Sequence, residues 1–217
     1  MSFPIVVLIS GSGSNLQALI DQSLQGQLNV RICAVISNKA DAYGLERAKL
    51  ADIPTHTVDH KLFSSREEFD AELQTIIDQY EPKLVVLAGF MRILTETFAK
   101  HYEGRMLNIH PSLLPKYKGL NTHQRAIGAG EKEHGVSVHF VSPELDAGSV
   151  ILQASTEIAP DDTAESLAKK VHSLEHIIYP LAVKWFSEER LTFQKGIALF
   201  DEKALPENGI LYNQALL

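Results

Sequence analysis

Asn108 and His110 stand two residues apart at the end of the apolar run Met106-Leu107-Asn108-Ile109-His110, just before Pro111. On a strand, alternation sends both polar side chains to one face and Leu107 and Ile109 to the other. Pro111 stops the extended ladder and opens a turn. An amide so placed can donate to a developing oxyanion, and an imidazole can give or take a proton near neutral pH. The pair suits transfer of an acyl group. A carboxylate that orients the imidazole and stabilises its protonated form would complete the set. Asp146, in the turn-rich stretch Ser142-Pro143-Glu144-Leu145-Asp146-Ala147-Gly148, is the candidate. A loop aspartate is by composition more often a turn cap, and on the residues alone both readings stand.

Three further clusters could bind rather than react. Gly11-Ser12-Gly13-Ser14-Asn15 follows a buried apolar run and opens a helix, so its glycines allow a tight turn and its free amides can face an anion. Leu16 replaces the third glycine of the dinucleotide pattern and no lysine completes a P-loop, which points to one phosphate rather than a dinucleotide. A plain helix cap is the alternative. Gly89-Phe90-Met91-Arg92-Ile93-Leu94 sits at the end of another strand, where apolar side chains could line a slot and backbone groups could read a flat ring's polar edge. Glu175, on a long helix, could hold a substrate amine. Among the nine histidines, neither His134/His139 nor His172/His176 has the carboxylate or cysteine company of a metal centre, so no metal is expected.

The elements that must position these groups follow from periodicity. Ile5–Ile9, Val30–Ile36, Leu84–Ala88 and Met106–Ile109 read as strands, the first and third as buried on both faces. Helices are expected over Asn15 to about Leu24, residues 43–50, Ser65–Tyr80 and Thr95–His101, with a short strand at Thr55–Val58. Ser65 followed by Glu68 resembles a capping box. Beyond Pro115 the pattern gives a short helix at Thr122–Gly128 and strands at Gly135–Val141 and Val150–Glu157. A long helix then starts at Asp161-Asp162-Thr163, with a stripe of Leu167, Val171, Leu174, Ile177 and Ile178, and short strands follow at Leu191–Gln194 and Ile197–Phe200. This alternation predicts an α/β, Rossmann-like, three-layer fold around a mixed, mostly parallel sheet. Right-handed crossovers bring the carboxyl ends of the strands to one edge, where ligands of open α/β sheets bind. One domain over 1–217 is expected, with a nucleotide-binding-like half of about 1–110 and a second half of about 111–217 that completes a cleft.

Length and charge narrow the classes further. The 217 residues suffice for a substantial core. A net charge of -7 argues against a long nucleic-acid contact. Lys116-Tyr117-Lys118-Gly119 is basic and could attract an anionic substrate, but two lysines do not make a nucleic-acid surface. The single cysteine, Cys33, permits no internal disulfide and reads as a small buried hydrophobe. Ile5–Ile9 is too short for a membrane span and lacks a basic leader, so a cytoplasmic protein is expected.

With these segments in order, the chain resembles the phosphoribosylglycinamide formyltransferases that use 10-formyltetrahydrofolate. The resemblance runs from Ile5 to about Trp185. It rests on the Gly11–Asn15 segment, Ser37-Asn38-Lys39-Ala40, Leu87–Leu94, Asn108–Pro115, His134–Val141, Leu145–Gly148 and Val150–Gln153. It implies that Asn108, His110 and Asp146 are the catalytic amide, imidazole and carboxylate. It implies that Gly13, Ser14 and Asn15 bind the ribosyl phosphate and that Glu175 engages the glycinamide amine. It further assigns the folate to Met91, Arg92, Ile93 and Leu94, to Asn108, and to the loop Val141, Ser142, Pro143, Glu144, Leu145, Asp146 and Ala147. The family often carries asparagine at the position of Ser12 and histidine at that of Asn121, and neither departure touches the catalytic set.

The resemblance therefore implies formyl transfer from 10-formyltetrahydrofolate, as cosubstrate, to 5-phosphoribosylglycinamide in purine (IMP) biosynthesis, by a monomer or weak homodimer without nucleic-acid or membrane partners. Three rivals share parts of the pattern. A formyltetrahydrofolate deformylase would put water in place of the amine, against which stand the phosphate turn and Glu175. A non-catalytic nucleotide-binding module would bind phosphate with no turnover depending on Asn108 or His110. A methionyl-tRNA formyltransferase is disfavoured by the acidic balance and by Lys116-Tyr117-Lys118-Gly119, where that family is usually arginine-rich.

Overall fold

Continuous aliphatic runs become the central strands of the first of two compact units, which meet in sequence at Asn108/Ile109. The computed structural model describes residues 2–213. In the first unit, β1 (Phe3–Ile9), α1 (Ser14–Leu24), β2 (Val30–Ser37), α2 (Tyr43–Leu50), β3 (Thr55–Thr57), α3 (Arg66–Asp78), β4 (Leu84–Leu87) and α4 (Glu96–His101) alternate. β5 (Met106–His110) closes the unit and carries the chain into the next. Its strands run in the order β5-β4-β1-β2-β3, every neighbouring pair parallel. Ile5 to Ile9 and Leu84 to Val86 are wholly buried, as strands covered on both faces must be. Apolar burial of this kind contributes about 1.5–3 kcal/mol per large side chain.

Parallel pairing puts the turns after β1, β2 and β4 at one edge of this sheet, and a buried polar tie fixes them to one another. The Ser10 hydroxyl donates to Asn38 Oδ1 (2.5 Å) and accepts from the Met91 backbone N–H (2.7 Å). Ser10 and Asn38 are 5% and 2% exposed, so these bonds lie where an unmade one costs about 1–3 kcal/mol. The Ser37-Asn38-Lys39 segment thus acts structurally at the mouth of the sheet.

The second unit contains α5 (Thr122–Gly128), β6 (Glu133–Phe140), β7 (Val150–Glu157) and α6 (Ala164–Ser187). It continues with β8 (Leu191–Gln194), β9 (Ile197–Phe200), β10 (Lys203–Ala204) and β11 (Ile210–Leu211). β6 and β7 pair antiparallel, β11 joins β7 in parallel, and β8, β9 and β10 form a small antiparallel sheet. The expected mixture of mostly parallel strands with helices is therefore what the pairings give. α6 is capped by Thr163, whose side chain accepts from the Ser166 amide while Ser166 answers the Thr163 amide.

Differences from the sequence reading are local. The Ser65 hydroxyl accepts from the Glu68 N–H as expected, but the Glu68 carboxylate reaches the amide and hydroxyl of Ser64 instead of closing the box on Ser65. On α6, Leu167, Val171 and Ile178 are buried, whereas Leu174 and Ile177 are only half-buried. The first residue and the last four of the expected 1–217 domain lie outside the described residues. Among the described residues no helix is long and apolar enough to cross a membrane.

Candidate active site

β5 delivers Asn108 and His110 at its carboxyl end, two residues apart and therefore on the same side of the strand. The β6–β7 connection delivers Asp146, held at φ 47°, a left-handed conformation that asparagine and aspartate tolerate better than other residues. Within the second unit His110 Nδ1 lies 3.4 Å from Asp146 Oδ2, with both side chains less than a tenth exposed. Loop and strand thus bring together the imidazole and carboxylate that composition alone left ambiguous.

Backbone groups complete this arrangement. The Gly119 N–H donates to Asp146 Oδ2 (2.9 Å), and His110 Nε2 donates to the carbonyl of Tyr117 (2.9 Å). Both nitrogens of His110 thus face oxygen acceptors, an arrangement the imidazolium satisfies with its two N–H groups. The Lys116–Gly119 turn that provides these groups needs left-handed backbone at Tyr117 (φ 56°) and Gly119 (φ 79°). Lys116 and the Tyr117 hydroxyl are anchored on Glu131, each at 2.8 Å.

A second histidine flanks the carboxylate. His139 Nε2 lies 3.8 Å from Asp146 Oδ1, and its Nδ1 donates to the Phe140 carbonyl (2.8 Å). Burial drives the His139 imidazole toward its neutral form. Sequence reasoning noticed His139 only as a possible metal ligand. Its role beside Asp146 carries no motif, because only the fold sets β6 against the β6–β7 loop. The groups from Tyr117 and Gly119 were equally invisible, since backbone amides and carbonyls leave no residue-type signature.

His134 and His123 form another pair, with His134 Nε2 3.1 Å from His123 Nδ1. Burial, followed by the nearby His123, pushes His134 down to about 4, and burial followed by His110 lowers His123. His123 and Glu175 line one recess with Pro111 and His172. Glu175 Oε2 lies 3.9 Å from His172 Nε2, and its side chain is 12% exposed. The His172 and His176 rings pack 4.4 Å apart. Among the described residues no group of three or more His, Cys, Asp or Glu side chains is arranged to hold a metal ion.

The first unit places the remaining candidates at the mouth of its sheet. Gly13 caps α1 in a left-handed conformation (φ 70°), and no side chain caps the helix. The helix dipole of α1 favours negative charge at this end. Residues 88–95 run without helix or strand from β4 to α4, with Phe90 buried, Met91 and Ile93 exposed, and Arg92 and Leu94 half-buried. The Arg92 guanidinium lies over the Phe69 ring, 5.9 Å from its centroid. In the second unit, residues 141–147 fold as a tight turn in which the Ser142 hydroxyl donates to the Glu144 carbonyl (3.0 Å). Leu145 is half exposed there, and Lys118 approaches Glu144 at 3.7 Å.

Comparison with known proteins places this arrangement in context. The family described as formyl transferase matches residues 4–183, a span that includes residues of both units. A phosphoribosylglycinamide formyltransferase from Escherichia coli (strain K12) is 54% identical over 205 residues, covering 94% of this chain and 97% of that protein. The human trifunctional purine biosynthetic protein adenosine-3 is 46% identical over 180 residues, 83% of this chain but 18% of that longer protein. A solved phosphoribosylglycinamide formyltransferase from Coxiella burnetii superimposes with a TM-score of 0.94 at 57% identity, covering 98% of this chain and all of that one.

Proposed function

The chain belongs to the formyl transferase family, and on that premise we propose that it moves the formyl group of 10-formyltetrahydrofolate to the amine of 5-phosphoribosylglycinamide. It is a phosphoribosylglycinamide formyltransferase of purine biosynthesis. The observation that carries this reading is the near-full-length identity to proteins of that name.

In this reading Gly13, Ser14 and Asn15 hold the ribosyl phosphate, and Glu175 engages the glycinamide amine. Backbone groups of Met91, Arg92, Ile93 and Leu94, together with the Val141–Ala147 loop, hold the folate. The neutral amine attacks the formyl carbon and a tetrahedral oxyanion forms. Asn108 donates to that oxygen, and His110, charged beside Asp146, stabilises the same charge. Preorganised donors of this kind contribute on the order of 3–4 kcal/mol each. Collapse breaks the bond from carbon to the folate nitrogen, which takes up a proton. Asp146, directly or through water, carries the proton from the attacking nitrogen. No covalent enzyme intermediate is needed. The donation from His110 Nε2 to Tyr117 implies that this carbonyl yields when that nitrogen turns to substrate.

The two units function together as one formyltransferase domain in the cytoplasm, as a monomer or weak homodimer. A single cysteine and a net charge of -7 support a reducing compartment and small-molecule partners. The test is turnover of purified protein with both substrates, against hydrolysis of the folate when the ribonucleotide is withheld. Formylation that requires the ribonucleotide is expected. Equal release of formate without it would turn the reading to a deformylase.

A further inference from the structure

α2 and the turn it packs against share an exchange of hydrogen bonds that no phosphate contact requires. The Gly44 N–H donates to the Gly11 carbonyl (3.0 Å), and Arg47 Nε donates to the Ser12 carbonyl (2.8 Å). Arg47 Nη1 adds a bond to Gln17 Oε1 (3.0 Å) on α1, and the guanidinium stacks over the Tyr43 ring at 4.9 Å. Ala42 is the N-cap of α2 and its side chain cannot cap, so the Gly11 carbonyl satisfies one of the helix's orphan amides.

We propose that Gly44 and Arg47 hold the Gly11–Asn15 turn in its anion-receiving shape, making Arg47 a positioning residue for the ribosyl phosphate. The inference rests on the reading that Gly13, Ser14 and Asn15 bind that phosphate.

The physical reason lies in the carbonyls. A cradle of backbone amides holds a phosphate only if the carbonyls preceding those amides point elsewhere, because a carbonyl oxygen facing the anion repels it. In this turn the two carbonyls that precede Gly13 are both drawn to α2. The approach of the two segments leaves no room for side chains. A Cβ on Gly13 would lie 2.5 Å from Gly44 Cα, and one on Gly44 would lie 2.5 Å from Ile9 Cδ1 and 3.1 Å from Gly13 Cα. Glycine at both positions therefore serves the contact between turn and helix, and Gly13 also serves its positive φ. Arg47 is half-buried, its bond to Gln17 is partly shielded while that to Ser12 is exposed, and its permanent charge sits beside the turn that would receive a dianion.

The test measures Michaelis constants for both substrates, and competitive inhibition by ribose 5-phosphate, in the wild type and in Arg47→Ala, Arg47→Lys, Gly44→Ala and Asn15→Ala. Thermal midpoints are recorded alongside. Arg47→Ala should raise the constants for phosphoribosylglycinamide and for ribose 5-phosphate by on the order of tenfold. The constant for the folate should not move. Arg47→Lys should recover part of the loss, because it restores charge without the planar fork. Gly44→Ala should act in the same direction if it folds. An unchanged ribonucleotide constant in Arg47→Ala, beside a raised one in Asn15→Ala, overturns the inference and leaves the phosphate reading intact. An equal rise for both substrates also overturns it, as general loosening. No effect in Asn15→Ala removes the phosphate reading itself and the inference with it.

Discussion

His139 holds its Nε2 3.8 Å from Oδ1 of Asp146, while the other oxygen of the same carboxylate faces His110. The two imidazoles are not equivalent. Nδ1 of His139 is committed as donor to the Phe140 carbonyl, so a neutral ring presents a lone pair toward Asp146. Burial enforces that neutral form. Nitrogen-15 NMR of the imidazoles should therefore show His139 as the Nδ1–H tautomer, with no titration from pH 8 down to about 5. A midpoint near the ordinary histidine value would contradict the assignment and make His139 a second cation beside Asp146.

His110 is expected to contribute to the rate rather than to the fold. His110→Ala should lower turnover on the order of 10²–10³-fold, the range found when one preorganised donor is lost. Its thermal midpoint should stay close to that of the wild type. Equal turnover in a matched assay with both substrates would remove His110 from the chemistry. Asn108→Ala should show a loss of similar size.

Gly119 offers a subtler test, because its contribution is a backbone N–H. A Cβ there meets nothing within 4 Å, so Gly119→Ala is not a steric insult. Its φ of 79° nevertheless costs an alanine on the order of 1–2 kcal/mol. The turn should shift to relieve that strain, weakening the bond to Asp146 Oδ2. Turnover should fall by roughly tenfold, with global stability lowered by no more than that strain of about 1–2 kcal/mol. Unaltered turnover would mean that the Gly119 amide does not hold the carboxylate in the active arrangement.

These contacts show where the sequence was readable. Ile5–Ile9 and Leu84–Ala88 were legible as doubly covered strands because only buried parallel strands sustain such unbroken aliphatic runs. Asn108 and His110 were legible because strand alternation is local. Asp146 was legible only as one of two readings, candidate carboxylate or turn cap, since its approach to His110 depends on a loop conformation with positive φ that many loop aspartates could adopt. The donors and acceptors from Tyr117, Gly119 and Gly44 are backbone atoms, so residue identity says nothing of them. β10 and β11, at two residues each, are too short for any periodicity to register.

His134 makes stability depend on pH with a defined sign. Its folded pKa, depressed to about 4 chiefly by burial, lies below the ordinary 6.5, so the unfolded chain binds the proton more readily. Its contribution is complete above about pH 6.5 and is lost as pH falls toward 4, at no more than about 1.4 kcal/mol per pH unit. Urea unfolding across that window should show the decline. His134→Gln, which keeps an acceptor for His123, should flatten it. A slope identical to that of the wild type would mean that His134 does not carry this linkage.

Asp70 gives the opposite case. Its carboxylate is 3% exposed and accepts from the Thr95 N–H through Oδ2 (2.6 Å), whereas Oδ1 is buried with no hydrogen-bond partner. Burial raises the Asp70 pKa, with the Thr95 bond only partly opposing it. For a carboxyl raised on folding, the folded state holds the proton more tightly, so the ionised group destabilises the fold at neutral pH and ceases to do so as pH falls. Asp70→Asn keeps a carbonyl for the Thr95 amide and removes the buried charge. It should stabilise the protein against urea by on the order of 1 kcal/mol at pH 7, and the gain should vanish near pH 4. A loss of stability at pH 7 would show that the ionised carboxylate contributes more to the start of α4 than its burial costs.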